Sequence, residues 1–268
     1  MKYGFLGCGN MGSAIARAIS KSTNQIMITD RSGKARTIAN ELNCDYSSSL
    51  KLAQECDSIF LAVKPQMMQD AIAPIKEILA QKKPLIITMA AGLSISAIEK
   101  IVGVRLPIIR IMPNTPASIG AGMTVFCYND LVTPAALSTF VNDMRHTGRM
   151  YAIPEHLIDA ASAVSGSGPA YMYLFLEAMA DGAVACGIPR AKAITYAAET
   201  MIGAAQLLVS TGQHPGVLKD AVCSPAGSTI EGIRVLEEHK VRSAVTECVI
   251  AAYNRNKELG QTLPAPRK

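Results

Sequence analysis

The chain has no tryptophan and only four histidines in 268 residues, and none of its cysteines are paired at C-x-x-C spacing. Each absence closes off a class of function. Nitrogen- and sulfur-ligated metal centres need His and Cys at short ligand spacing, and neither an H-x-x-x-H pattern nor an acidic cluster is present, so no metal ligand set can be named. The seven cysteines (Cys8, Cys44, Cys56, Cys127, Cys186, Cys223 and Cys248) are scattered singly. That is the pattern of reduced, packed thiols in a cytoplasmic protein, not of a disulfide framework. Lys and Arg number 26 against 21 for Asp and Glu, a net charge of +5. This mildly favours anionic ligands, but no basic run is interleaved with aromatics, so nucleic acid is not an expected partner. No apolar run approaches the ~18 residues of a membrane span, so no membrane association is expected. The apolar stretch from Lys2 to Cys8 is also too short for the core of a secretory signal. Internal repeats and low-complexity segments are missing, and only Leu263 to Lys268 reads as a tail.

What is present begins at once. Tyr3-Gly4-Phe5-Leu6 reads as a strand that runs into Gly7-Cys8-Gly9-Asn10-Met11-Gly12, a G-x-G-x-x-G loop. In a dinucleotide-binding turn the first glycine allows the tight turn, the second lets a diphosphate approach the backbone, and the third lets helix and strand pack closely. The helix that follows offers its first amides, Asn10 and Met11 among them, and its positive end to phosphate. A second strand, Gln25 to Asp30, ends in an acid. Glycine turns are common, but strand, loop, helix, strand and acid in this order specify a dinucleotide site.

With 49% hydrophobic and 18% charged residues, the chain can bury a large core, and its length suits one large domain or two ordinary ones. Residues 58–63 and 84–89 read as buried parallel strands, and 107–111, 122–126 and 149–151 extend the sheet. Helical patterns fall near 33–42, 48–55, 66–80, 94–102 and 133–145. This alternation predicts an α/β fold, an N-terminal Rossmann domain with a mostly parallel sheet over residues 1–153. From Pro154 on, strand signals vanish, and residues 154–268 read as an all-α domain with helices near 155–163, 168–187, 190–211, 214–222, 225–238 and 240–260. The segment 190–211 is apolar on most faces, so it must be covered. In so small a domain the cover is a second subunit.

Open α/β sheets bind ligands beyond the carboxyl ends of their strands, and three short motifs sit there. Ala62-Val63-Lys64-Pro65 follows one strand. Taken alone, Lys64 is a solvated surface lysine; beside Pro65, its ammonium can face a cofactor phosphate or ribose. Ala90-Ala91-Gly92 leaves backbone open for a nicotinamide. Asn114 and Thr115 supply polar atoms in a loop fixed by two prolines. In the helical half, Ser165-Gly166-Ser167-Gly168-Pro169 is a small-residue loop entering a helix. Ser224-Pro225-Ala226-Gly227-Ser228-Thr229 reads as a helix start, with Ser224 as N-cap and Pro225 in the first turn. The amides of Ala226, Gly227, Ser228 and Thr229 would then form an anion pocket the size of a carboxylate.

These motifs together resemble the pyrroline-5-carboxylate reductase family over nearly the full length. The stretch from Leu218 to Ile230 is the most specific, whereas the glycine loop is shared with many families. The resemblance implies a Rossmann domain followed by a helical dimerisation domain that interlocks with a second subunit, giving a homodimer or larger homo-oligomer. It implies that residues 224–229 hold the substrate carboxylate, with Lys64 and Thr229 as candidate catalytic residues. The chain departs from the usual family pattern at Ala226, where glycine is common, at Ser228, and at Asp30, where asparagine is common. Asp30 is placed to accept from the ribose hydroxyls of NADH. Arg31, Ser32 and Lys34 offer what a 2′-phosphate needs. The balance predicts NADPH as the preferred cofactor, with NADH also accepted.

The implied reaction is hydride transfer to the C=N carbon of a cyclic imine, with a proton to nitrogen. No His or Cys falls in a motif placed to act as a general acid. An easily protonated imine would instead be reduced through proximity and orientation. Two other readings use the same glycine loop. A β-hydroxyacid dehydrogenase would carry a catalytic lysine and asparagine on the helix at 170–175, where this chain has neither. A nucleotide-sensing protein would keep the fold without the chemistry.

Overall fold

The computed structural model describes residues 1–31 and 33–261; Ser32 and the expected tail lie outside the described residues. The chain divides into two compact units, Met1–Ser167 together with the end of the chain from Ala252, and Gly168–Ala251.

The first unit is built on the elements β1 (Tyr3–Leu6), α1 (Asn10–Ile19), β2 (Ile26–Thr29), α2 (Lys34–Glu41), β3 (Asp45–Tyr46), α3 (Ser49–Glu55) and β4 (Ser58–Leu61). After these come α4 (Met68–Ile72), α5 (Lys76–Lys82), β5 (Leu85–Thr88), α6 (Ile95–Val102), β6 (Ile108–Met112), β7 (Gly122–Tyr128), α7 (Pro134–Asp143), β8 (Gly148–Ala152) and α8 (Ile158–Ser165). The eight strands form one sheet in the order β3-β2-β1-β4-β5-β6-β7-β8. All neighbours are parallel except β6 and β7, whose connection is too short for a crossover. Strands β1, β2, β4 and β5 are buried along their whole length, as a sheet covered on both faces requires.

Alternate strand residues feed two separate cores. Leu6, Ile59, Leu61 and Ile86 pack with Leu52, Met68 and Ile72 on one face. Phe5, Phe60 and Ile87 pack with Ile15, Ile19 and Phe140 on the other, where the rings of Phe5 and Phe60 stack at 4.5 Å.

One local expectation needed correction. The helix expected over 66–80 is broken. A 3-10 turn at Pro65–Met67 leads into α4, a second at Ala73–Ile75 follows, and then α5 begins. Pro74 has no N–H to continue the ladder and restricts the residue before it, so a single helix cannot pass through. The two-residue β3 has no periodic pattern to announce it; it is defined by pairing with Met27 and Ile28.

The second unit contains α9 (Gly168–Ala185), α10 (Arg190–Thr211), α11 (Pro215–Ala221), α12 (Ser228–Glu238) and the larger part of α13 (Val241–Gln261). Helices α9 and α10 pack along each other. In both, the fully buried positions are small alanines, Ala180, Ala193 and Ala197. Large apolar side chains remain open, among them Leu174 at 67% exposure, Ile202 at 50% and Leu207 at 52%. An apolar surface of this kind on a folded unit marks an interaction face. No described helix is long and apolar enough to cross a membrane.

Candidate functional site

The glycine loop takes its shape from contacts that exclude side chains. Gly7 has φ +95°, and its N–H donates to Thr29 O at 2.8 Å. A Cβ there would sit 2.7 Å from Ala62 O, so the turn needs glycine. Gly12 brings α1 against the chain leaving β4, with Ala62 Cβ only 3.0 Å from where its own Cβ would be. Gly9 is the opposite case: nothing lies within 4 Å of its Cβ position. It is also the N-cap of α1 and has no side chain with which to cap. The first bond of the helix runs from Ser13 N to Gly9 O at 2.9 Å, so the amides of Asn10, Met11 and Gly12 precede the intrahelical ladder. Open space beside free amides at the positive end of a helix fits a diphosphate.

A cleft of about 540 Å³ opens at this loop, lined by Gly7, Gly9, Asp30, Arg31, Ala62, Val63 and Lys64. The sequence grouped these residues from three separate motifs. Ser49, Met67, Asp70 and Pro74 also line it. Sequence reading missed these four because they carry no motif; the pairing of β3 and the kinked segment after β4 bring them to the cleft. Lys64 is exposed in extended backbone; its carbonyl accepts from Met67 N at 2.9 Å, and its ammonium makes no hydrogen bond or ion pair among the described residues. Cys8 also lines the cleft. Burial, with a contribution from Asp30, pushes its thiol up to about 11, so it stays neutral and unreactive at neutral pH. Arg31 is exposed, and Ser32 lies outside the described residues. The Asp30 carboxylate faces α2, with Oδ1 accepting from Gly33 N at 3.0 Å and Oδ2 from Ala35 N at 3.2 Å.

Asn10, Met11, Gly12, Pro65, Ala90, Asn114 and Thr115 are not part of the lining of this cleft. Ala90 is buried, and its amide donates to Thr88 Oγ1 at 3.4 Å. Thr115 is exposed at the start of a 3-10 turn, Thr115–Ile119. Asn114 is 9% exposed and committed to backbone on both sides. Its Nδ2 donates to Ser165 O at 3.0 Å, and its Oδ1 accepts from Met123 N at 2.9 Å. It thereby ties the loop after β6 to β7 and to the end of α8. Within β6, Arg110 is buried, at 3% exposure. It pairs with Asp159 at 2.8 Å and with Glu155 at 3.4 Å.

In the second unit the expected helix start is corrected. Ser224 is not the N-cap and Pro225 is not in the helix. Helix α12 begins at Ser228 with Gly227 as its N-cap. Residues 224–227 form a separate turn, closed by Gly227 N donating to Ser224 O at 3.0 Å. Pro225 sets the second position of the turn, and Ala226 takes the third with φ +56°. Only glycine enters that left-handed region freely; alanine there costs about 1–2 kcal/mol. The Gly227 amide is spent on the turn; among the described residues, the amide of Ala226 and the first helical amides of Ser228, Thr229 and Ile230 are left without an acceptor. Thr229 is exposed beside them, and no side chain caps the helix. Helix α9 begins at Gly168, as expected, with Pro169 as its second residue.

A mainly parallel, doubly wound sheet with a glycine loop at the carboxyl end of its first strand defines a dinucleotide-binding protein of the Rossmann type. Comparison with known proteins narrows this. A family model for pyrroline-5-carboxylate reductase dimerisation matches residues 155–259, and one for coenzyme F420-dependent NADP oxidoreductases matches residues 2–92. The chain is 41% identical to pyrroline-5-carboxylate reductase of Escherichia coli over 97% of its own length and 99% of that protein's. It is 37% identical to the enzyme of that name from Methanosarcina acetivorans, over 97% and 98% of the two chains. Among solved structures, Plasmodium falciparum pyrroline carboxylate reductase with NADP bound superposes with a TM-score of 0.88 at 33% identity, covering 97% of this chain and 98% of that one. The chain belongs to the pyrroline-5-carboxylate reductase family.

Proposed function

We propose that this protein reduces 1-pyrroline-5-carboxylate to L-proline at the expense of NADPH, with NADH also accepted, as the last step of proline synthesis. The observation that carries this reading is the 41% identity, over 97% of the chain, to an enzyme of that name. The residues present also suit the reaction. The Asn10, Met11 and Gly12 amides hold the cofactor diphosphate at the positive end of α1. Arg31 clamps the 2′-phosphate, and Lys64 places a second cation on the cleft. The cofactor-binding assignments at Pro65, Ala90, Asn114 and Thr115 remain part of this proposal, with Asn114 holding its loop in place. Contacts to the diphosphate and nicotinamide halves are common to both cofactors, which supports acceptance of NADH.

When bound, the nicotinamide supplies the hydride to the imine carbon. The residues 224–229 fix the substrate carboxylate through the free amides of α12 and the Thr229 hydroxyl, with the Ser224-Pro225-Ala226-Gly227 turn setting where those donors point. The imine nitrogen takes its proton from water, so the rate comes from orientation and not from a strong side-chain acid. The functional division is 1–153 for the nucleotide and 154–268 for dimerisation and substrate, supported by the dimerisation match at 155–259. The exposed apolar residues of α9 and α10 support a homodimer or larger homo-oligomer. The unpaired cysteines support a cytoplasmic location.

The test is oxidation of NADPH by the purified protein with and without the imine, with proline identified as product. Imine-independent oxidation, or none at all, would refute the assignment. Arg31→Ala should raise the KM for NADPH far more than that for NADH.

A further inference from the structure

We propose that Asp30 is a positioning residue for cofactor selection. Its carboxylate builds the turn that carries Arg31 at the cleft, and it does not itself grip the ribose diol. The inference rests on the reading that this cleft binds NADPH.

An acid at the end of the second strand is, from sequence, a ribose acceptor that favours NADH. The structure gives this one another task. Helix α2 starts at Lys34, and its N-cap is Gly33, with φ +75° and no side chain. The first amides of a helix need acceptors from outside the ladder. Asp30 supplies both from upstream, Oδ1 to Gly33 N at 3.0 Å and Oδ2 to Ala35 N at 3.2 Å. Its negative charge sits at the positive end of α2, where it is stabilised. Tyr46 Oη adds a long bond, 3.5 Å, to the carbonyl of the same residue. One carboxylate therefore ties Asp30 to Gly33 and Ala35 at the start of α2. Arg31 follows Asp30 directly and lines the cleft together with Gly7 and Gly9.

The two amides fix the plane of the carboxylate against α2, so a grip on a ribose diol would fall to the remaining lone pair of each oxygen, in an orientation set by the helix and not by the ligand. Arg31, by contrast, needs only a fixed backbone to present a guanidinium to a phosphate dianion. The two roles predict opposite signs. If Asp30 were a ribose acceptor that repels the 2′-phosphate, replacing it would strengthen the preference for NADPH. As the organiser of the turn, its loss releases Arg31 and weakens NADPH selectively.

The test measures dissociation constants of NADPH and NADH, by fluorescence of the bound nicotinamide, for the wild type, Asp30→Ala and Asp30→Asn. Hydrogen exchange of the peptide spanning residues 30–36 is followed alongside. Asp30→Ala should weaken NADPH roughly tenfold and NADH less than about twofold, on the scale of lost hydrogen bonds to a charged group. The peptide should lose exchange protection. Asp30→Asn keeps one acceptor and should fall between, which preserves the test if the alanine variant folds poorly. NADPH affinity unchanged or tightened in the variants would overturn the inference. So would equal weakening of both cofactors, or a larger loss for NADH. If the wild type binds neither cofactor, the reading of the cleft itself is overturned, and that is seen before any variant is made.

Discussion

Removing the Asn114 side chain should destabilise the first unit more than it disturbs nucleotide binding. Asn114 is 9% exposed and bridges Ser165 O at 3.0 Å and Met123 N at 2.9 Å. Asn114→Ala leaves a buried carbonyl and a strand amide unpaired. Each such group costs about 1–3 kcal/mol, and partial access of water brings the pair to about 2–4 kcal/mol. For a chain of this size that corresponds to a fall in Tm of roughly 5–12 °C. Asn114→Asp is the sharper probe, because it keeps the shape. Its second oxygen would face Ser165 O as acceptor against acceptor, so it should cost at least as much as alanine. The assay is thermal unfolding at fixed protomer concentration, since any association shifts the apparent stability, with NADPH affinity measured in parallel. The reasoning is refuted if Asn114→Ala unfolds within about 1 °C of wild type while NADPH binding weakens, a result that would make Asn114 a cofactor ligand and not a clamp.

Other expectations test separate parts of the structure. Thr229→Val removes one hydrogen bond to a charged group, worth about 1.5–3 kcal/mol, so the KM for the imine should rise roughly ten- to hundredfold while NADPH affinity holds; equal losses for both ligands would remove Thr229 from the carboxylate site. Burial pushes the thiols of Cys8, Cys56 and Cys127 up to about 11. At pH 8 their thiolate fraction is on the order of 10⁻³, so a neutral alkylating agent should leave them unmodified in the folded protein and label them in denaturant. Arg17 grips Glu41 with two bonds of 2.7 Å, and this hydrogen bonding holds the Glu41 carboxyl below its ordinary value. A depressed carboxyl contributes stability above its unfolded titration and loses it as pH falls through the folded value. Arg17→Met should therefore move the NMR titration of Glu41 to higher pH, and an unmoved midpoint would discount the pair.

Much of the fold was legible because its signals are local. Buried strands such as 58–61 and 85–88 are apolar apart from Ser58 and Thr88 at their ends, and a glycine loop between strand and helix leaves few alternatives. The three glycines illustrate how far this goes. Sequence order alone assigned a turn to Gly7, a ligand approach to Gly9 and close packing to Gly12; the surroundings of Gly7 and Gly12 agree, and the space beside Gly9 is open. Proline also announces itself at Pro65 and Pro134, both in the first turn of their elements.

Other features depend on which groups meet after folding. Pattern alone extended one helix through Pro74, and it placed the N-cap of α12 at Ser224 because serine before proline is a good cap in isolation. The chain instead closes a turn with Ala226 in a left-handed conformation and starts the helix three residues further on, a choice set by where Gly227 N finds Ser224 O. Asp30 and Asn114 have side chains that can serve a ligand or the backbone equally well. Sequence supplied the functional groups; the tertiary structure decided which of them were already spent. A hydrogen bond is made to the nearest suitable partner in space. For Asp30 that partner lies three and five residues along the chain, and for Asn114 it lies on β7 and at the end of α8, which adjacency in sequence does not reveal.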